Sequence, residues 1–504
     1  MVDADMELSR VFENISPLDH RYRAGNPDLW KEASEYLSES AFVRYQVAVE
    51  VALLRAYARR GLVTAAAADE FEAAARSLSP AEVYAEEEKT RHNIRALVNC
   101  LGAGLRPEIR AQVTPFIHLG ATSMDILDTA NALRYRDAAA RLLMPLVIRL
   151  EEVLIRLAWR ERATVQIART HGQHAVPISF GFAVAEYVER VGERGENLRS
   201  AAANLRGKLT GAVGAYNALS LAVDDPEALE EEVLAELGLR PAPYSTQVVC
   251  PEYLTDFVHA MVSLFGVLAN IADDLRHLQR TEISEVGEYF AAEQVGSSTM
   301  PHKRNPWNFE HVKSLWKEFV PRMMTVYFDQ ISEHQRDLTN SASSRFVPEV
   351  IFGLALALDR LARVLGRLAV DREALGRNLA MSGGLFVAEP LYIALALAGH
   401  PAAHEAVRRL TLEAEKHQEA KAMPTNLLEL ARRDEELAPY AARFTAEQKS
   451  ILEEPERYVG LAVAKTEKLC RYWAGRFGVA LDDVGDAEVE IDNTGAGKRK
   501  DEKA

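Results

Sequence analysis

Apolar residues recur at steps of three and four along most of the chain. Between Phe257 and Leu278 they fall at Phe257, Met261, Leu264, Leu268, Ile271, Leu275 and Leu278, which is one face of a long amphipathic helix. Leu146, Leu150, Leu154 and Leu157 form a second stripe after Pro145, a proline expected to kink its helix rather than end it. Val184, Val188, Val191, Leu198 and Leu205 suggest a third. Period-two runs bounded by Asn-Gly or Asp-Gly, the mark of strands joined by tight hairpins, are missing from the sequence. Helices this long bury their stripes by packing side by side. The pattern therefore predicts an all-α protein built around a central long-helix bundle.

The stripes are unevenly spread, and this sets the expected domains. Residues 1–118 predict shorter helices broken by turns such as Ile15-Ser-Pro-Leu-Asp19 and Leu105-Arg-Pro107. Residues 119–375 carry the long stripes. Residues 376–478 return to shorter helices, interrupted at Gly383-Gly384 and Ala422-Met-Pro-Thr425. Residues 479–504 are rich in Asp, Glu, Lys and Gly with few apolar groups, and predict a disordered acidic tail. A length of 504 residues suits three domains at ~150 residues each.

Composition excludes several classes. With 48% hydrophobic and 26% charged residues the chain is neither disordered nor fibrous. A formal charge of 59 − 74 = −15 argues against nucleic-acid or membrane partners. An anionic ligand must then be held by local Arg, Lys and helix N-termini. Cys100, Cys250 and Cys470 lie far apart with no CxxC pair, so they read as reduced thiols and supply no disulfide framework or metal site. The acidic start Met1-Val-Asp-Ala-Asp-Met6 lacks a hydrophobic signal region. Apolar runs such as Val350–Leu358 stop well short of the ~20 residues of a membrane span. Together these features predict a cytoplasmic protein.

Four polar blocks interrupt the helices. Lys89-Thr-Arg-His-Asn93, with Arg91, His92 and Asn93, opens a helix. It suits either a carboxylate held by His, Asn and free backbone N–H groups or simple capping by Thr90 or Asn93. His118-Leu-Gly-Ala-Thr-Ser-Met-Asp125 contains a Thr122/Asp125 capping pattern, and also presents hydroxyl and N–H donors to an anion. Ala168-Arg-Thr-His-Gly-Gln-His-Ala-Val-Pro177 sets His171 and His174 in a short polar link between long helices. Histidine there can exchange a proton near neutral pH or be an ordinary surface residue, and the spacing matches no metal motif. The fourth block, Gly296-Ser-Ser-Thr-Met-Pro-His-Lys-Arg-Asn-Pro-Trp-Asn-Phe-Glu310, combines the small residues of a mobile lid with the charge to hold an anion.

This last block resembles the G-S-S-x-M-P-x-K-x-N-P-x-x-x-E signature of the fumarase/aspartase superfamily. Thr122-Ser123 and Thr170-His-Gly-Gln173 resemble its two other motif regions, in the expected order. Within the superfamily, His302, Lys303-Arg304, Ser16-Pro-Leu-Asp-His-Arg-Tyr22, Gly207-Lys-Leu-Thr-Gly-Ala-Val-Gly214, Thr246-Gln247 and Gln335-Arg-Asp-Leu-Thr339 are similar to the branch acting on succinyl-purine nucleotides. The resemblance runs from about residue 12 to 475. Asn93 departs from the Asp usual after the histidine, and Pro251-Glu252 replaces a common Arg-Asp.

The resemblance implies a cofactor-free lyase that releases fumarate by anti β-elimination. It implies Ser297 as the base, made competent by Lys303 and loop N–H groups that stabilise its alkoxide. His171 is implied as the acid for the leaving nitrogen. His92 and His118 are implied to orient phosphate or carboxylates. Arg21, Tyr22, Arg336, Ser341 and Arg345 look like phosphate and nucleotide contacts, Arg91 and Asn93 like further substrate contacts beside His92, and Thr122, Ser123, Gln247, Lys303 and Asn305 like contacts to the succinyl group. The alternatives are another fumarate-releasing lyase or cycloisomerase of the superfamily, or a non-catalytic structural protein of the same fold. A helix over ~125–160 would span ~50 Å and keep His118 and His171 of one chain apart. Sites shared between subunits follow if both act together, in line with the homotetramer that the resemblance implies.

Overall fold

A computed structural model describes residues 13–290, 299–300, 302–421 and 426–481. Ser297, Ser298, residues 422–425 and the tail beyond Leu481 lie outside the described residues. About 67% of the chain is helical, so the all-α expectation holds. The helices used below are α1 (Glu39–Arg59), α2 (Asn93–Ala103), α3 (Ser123–Ala138), α4 (Met144–Arg160), α5 (Phe180–Ala203), α6 (Glu252–Leu278), α7 (Val347–Leu365) and α8 (Ala462–Phe477).

The apolar stripes are the buried faces. In α6, Phe257, Met261, Leu264, Leu268, Ile271 and Leu275 are buried, and in α5 so are Val184, Val188, Val191 and Leu198. In α4, Leu150, Leu154 and Leu157 are buried while Leu146 is half-exposed. A wide π turn over Ala139–Leu143 joins α3 to α4, so helix runs unbroken from Ser123 to Arg160. Pro145 follows that turn after one residue, Met144. Lacking an N–H, it breaks the regular bonding ladder, and the chain absorbs the loss without ending the helix. Taken alone, α6 is long and apolar enough to cross a membrane. However, 61% of its most apolar window is buried inside the protein, as in a core helix.

One local expectation fails. Residues 165–179 form an antiparallel hairpin instead of a polar link, with β1 (Val165–Thr170) paired to β2 (Gln173–Ser179). His171 and Gly172, at φ 55° and 74°, make the two-residue loop. This is the positive-φ pattern of a type I′ turn, whose twist matches that of the flanking strands. A bulge between Ile167 and Arg169 blurs the alternation that would have betrayed the strands.

The chain divides into two compact units. The first draws on residues 1–147, 193–266 and 314–359, and the second on 148–192, 267–313 and 360–504. In the first, Ala52, Leu53, Ala56 and Tyr57 of α1 pack with Leu209, Leu219, Leu229 and Val233. The second holds a separate cluster including Leu391, Leu395, Val407, Leu410, Leu427 and Phe444. There, too, buried Trp473 of α8 donates its indole N–H to Glu189 at 2.7 Å.

Asp125 and Lys208 are both fully buried in the first unit. The Asp125 carboxylate accepts from Lys208 Nζ and from the backbone N–H groups of Thr122 (2.8 Å), Thr210 (3.1 Å) and Gly211 (3.1 Å). It pins the Gly207–Gly214 segment to the start of α3. Removing one partner leaves an uncompensated buried charge. Asp125→Ala is therefore expected to lose about 3–5 kcal/mol in urea unfolding, while the paired change Asp125→Leu with Lys208→Met loses markedly less. Equal losses for the single and paired variants would show that the ion pair itself is not what matters.

Candidate active site

Two helix starts build one wall of a cavity in the first unit. His92 caps α2, its Nδ1 accepting the Arg95 N–H at 3.2 Å. Neither Thr90 nor Asn93, the residues expected to cap, does so. Arg91, left-handed at φ 55°, turns the chain between the helix over Pro80–Thr90 and α2. With Nδ1 accepting, the neutral ring carries its proton on Nε2, which lies 3.5 Å from the Ser123 hydroxyl at the start of α3. Thr122 occupies the N-cap position there, its N–H held by Asp125.

The facing wall depends on a close backbone approach. Gly214 has φ 81°, and a Cβ on it would meet the Ser245 carbonyl at 2.1 Å. Glycine therefore lets the Gly207–Gly214 segment lie against Ser245. Ser245 bridges to Val249, and the turn between them presents Gln247. Asp337, accepting from the Thr339 hydroxyl and N–H and from the Glu333 N–H, is pushed down to about 2 by these bonds. It organises the turn that carries Arg336. Arg336 donates to Asn340, and its buried Nε has no partner among the described residues.

The cavity, partly open to solvent, has a volume of about 490 Å³. His92, Asn93, Thr122, Ser123, Gln247, Arg336, Ser341 and Arg345 all line it, together with Asp128. Arg21, Tyr22, Arg91 and His118 belong to the same unit but are not among its walls. His118, left-handed at φ 61°, meets the carboxylate of buried Glu50 at 2.7 Å through Nδ1, with Nε2 on the other side of the ring. Asp128 gives one oxygen to the Val249 N–H (2.9 Å). Burial pushes its carboxyl up to about 6, moderated by that bond and by the charges of Lys208 and Arg336.

His171, Lys303 and Asn305 belong to the second unit. Below the exposed His171 tip, Glu285, fully buried, accepts from Gln166 (2.7 Å), Arg169 (2.6 and 3.1 Å) and Asn378 (2.8 Å). This network fixes the hairpin base. His174 meets the Ser382 hydroxyl at 2.8 Å, and burial together with Arg169 lowers its pKa. Lys303 and His302 are exposed, and Asn305 is half-buried. Glu50, Asp128, Glu285 and Asn378 escaped sequence reasoning. Each takes its place from residues remote in the chain, which no local pattern reveals.

A protein family described as Lyase matches residues 20–317, and one described as Adenylosuccinate lyase C-terminal matches residues 332–437. Similar solved structures include a fumarate lyase from Mesorhizobium sp. BNC1 (TM-score 0.75, 25% identity, 88% of this chain and 97% of that one). Another is the 3-carboxy-cis,cis-muconate lactonizing enzyme of Pseudomonas putida (TM-score 0.74, 25% identity, 89% and 97%). Fold and motifs thus define a lyase of the fumarase/aspartase superfamily. The adenylosuccinate lyase of Archaeoglobus fulgidus is 32% identical over 464 residues, covering 91% of this chain and 98% of the relative. That of Methanothermobacter thermautotrophicus is 34% identical over 465 residues, covering 90% and 98%. The chain belongs to the adenylosuccinate lyase family.

Proposed function

We propose that the chain cleaves adenylosuccinate to AMP and fumarate, and the analogous succinyl-aminoimidazole-carboxamide ribotide to its amide and fumarate. The observation that carries this is one cavity holding two kinds of anion donor. Helix-start groups at His92, Thr122 and Ser123, with Gln247, suit the succinyl carboxylates. Arg336, Ser341 and Arg345 suit a phosphate. An argininosuccinate or carboxymuconate substrate has no phosphate to engage that second group.

In the elimination, Ser297 removes the proton β to the leaving nitrogen, with Lys303 stabilising its alkoxide. Loop N–H groups and Lys303 take up charge on the resulting aci-carboxylate. His171 protonates the departing amine on the opposite face, so the C–N bond breaks and the C=C bond of fumarate forms. His118 and His92 orient the substrate, with Arg21, Tyr22, Arg91, Asn93 and Asn305 as further contacts. The enzyme acts in the cytoplasm as a homotetramer with sites shared between subunits. His118 and His171 flank a helical run of 38 residues, Ser123–Arg160, which extends ~57 Å at 1.5 Å per residue.

Fumarate release is the direct test, with each succinyl nucleotide and argininosuccinate offered separately. Fumarate from the nucleotides alone is expected, and fumarate only from argininosuccinate, or from nothing, would overturn the proposal. Arg336→Ala should raise KM at least ~10-fold with little change in kcat, because phosphate is held about equally in ground and transition states. A large fall in kcat at constant KM would contradict its role.

A further inference from the structure

The cavity is built for anions, yet one carboxylate stands in its wall. Among the described residues lining it, Asp128 is the single acid, beside Arg134, Arg206, Arg336 and Arg345. Three of these arginines are already engaged, Arg336 with Asn340 as described above. Arg134 donates to Asn131 (2.9 Å) and to the Tyr135 hydroxyl (3.0 Å), and Arg206 donates to Asn204 (2.7 Å). Asp128 forms no ion pair with any of them. One oxygen takes the Val249 N–H, and the other meets no donor among the described residues. Asp128 thus brings to the cavity wall an acceptor that no described donor occupies.

Its place on α3 says which part of the ligand that is. Met124, Leu127, Asp128, Asn131 and Ala132 repeat at helical spacing and share the cavity face with Ser123. Asp128 lies five residues beyond Ser123, ~7.5 Å along the axis. That is about the length of a purine ring system. Asp128 also feels the charge of Arg336. It shares the cavity with both the helix-start donors and Arg336, and a carboxylate there repels anions and attracts hydrogen-bond donors. Apart from the exocyclic N–H at the succinyl end, the uncharged donors of the nucleotide are its ribose hydroxyls.

We infer that Asp128 is a specificity-determining residue whose free carboxylate oxygen accepts a ribose hydroxyl of the nucleotide, selecting ribonucleotides over their deoxy counterparts. This rests on the nucleotide-cleaving function proposed above. A site that hydrogen-bonds a hydroxyl rejects analogues lacking it, because its own buried group is then left unpaired.

Calorimetric binding of AMP, 2′-deoxy-AMP and 3′-deoxy-AMP to the full chain tests this, alongside fumarate release from adenylosuccinate. The wild type should bind one of the deoxy nucleotides about 10- to 100-fold more weakly than AMP, the range for a hydroxyl bonded to a charged acceptor. Asp128→Asn keeps an acceptor for the Val249 N–H but loses the charge. It should bind AMP more weakly and shrink the deoxy penalty to under ~3-fold. A merely structural Asp128 would weaken all three nucleotides equally. Equal wild-type affinity for all three, or an undiminished penalty in a folded Asp128→Asn, overturns the inference. The wild-type comparison decides alone if the variant does not fold. Failure to release fumarate or to bind AMP would instead remove the functional proposal beneath it.

Discussion

Replacing Ser297 with alanine is expected to lower turnover at least ~10³-fold while AMP still binds. The C–H bond that must break is weakly acidic, and its carbanion places a second negative charge on a carboxylate already bearing one. A neutral hydroxyl cannot start such a step. Its alkoxide can, provided cationic and N–H donors stabilise it, and Lys303, six residues on in the same motif, is the cation supplied. On the proposed mechanism alanine removes the base and leaves the cavity groups, Gln247 and Arg336 among them, unaltered. The change should therefore fall on kcat, read from fumarate absorbance, with the calorimetric Kd for AMP held within a few-fold. A collapse in Ser298→Ala alongside a nearly normal Ser297→Ala would move the base by one residue.

The second large effect is a gain. His118→Gln and His171→Gln variants, each inactive alone, should recover activity when unfolded and refolded together in equal amounts. If each site takes His118 from one subunit and His171 from another, random assembly makes about ½ × ½, or a quarter, of the sites fully unmutated. The unbroken Ser123–Arg160 run is the reason to expect this, because it separates the two motifs along one chain. Mixed oligomers as inactive as either parent would show that the sites are not shared in this way.

The long helices were legible because burial of a stripe is a local property of sequence. The apolar steps of three and four in α5 and α6 became buried faces, with only the terminal Leu278 of α6 half-exposed. The cavity was legible through motif residues at helix starts and in the Gln335–Thr339 turn, several of which line it. The hairpin at His171 was not. A bulge hides its period, and its turn uses His-Gly where Asn-Gly is the common signal. Glu50, Glu285 and Asp128 were invisible for a different reason. A carboxylate's role depends on what folds against it, and Glu285 meets Arg169 across 116 positions.

That separation has a consequence for how the protein is made. The hairpin base bonds Glu285 to Gln166 and Arg169 across 119 and 116 positions, and Glu285 to Asn378 across a further 93. The links from Gln166 and Arg169 wait for Glu285, and the set is complete only once translation has passed Asn378, which at 5–20 residues per second falls about 10–40 s after His171 has been added. Local helices form within microseconds of their own synthesis. A nascent chain thus carries its helical framework long before the base beneath the histidine tip is complete. Ribosome stalling between residues 286 and 378 would yield chains that look helical by circular dichroism yet lack the full set of bonds that fixes the hairpin.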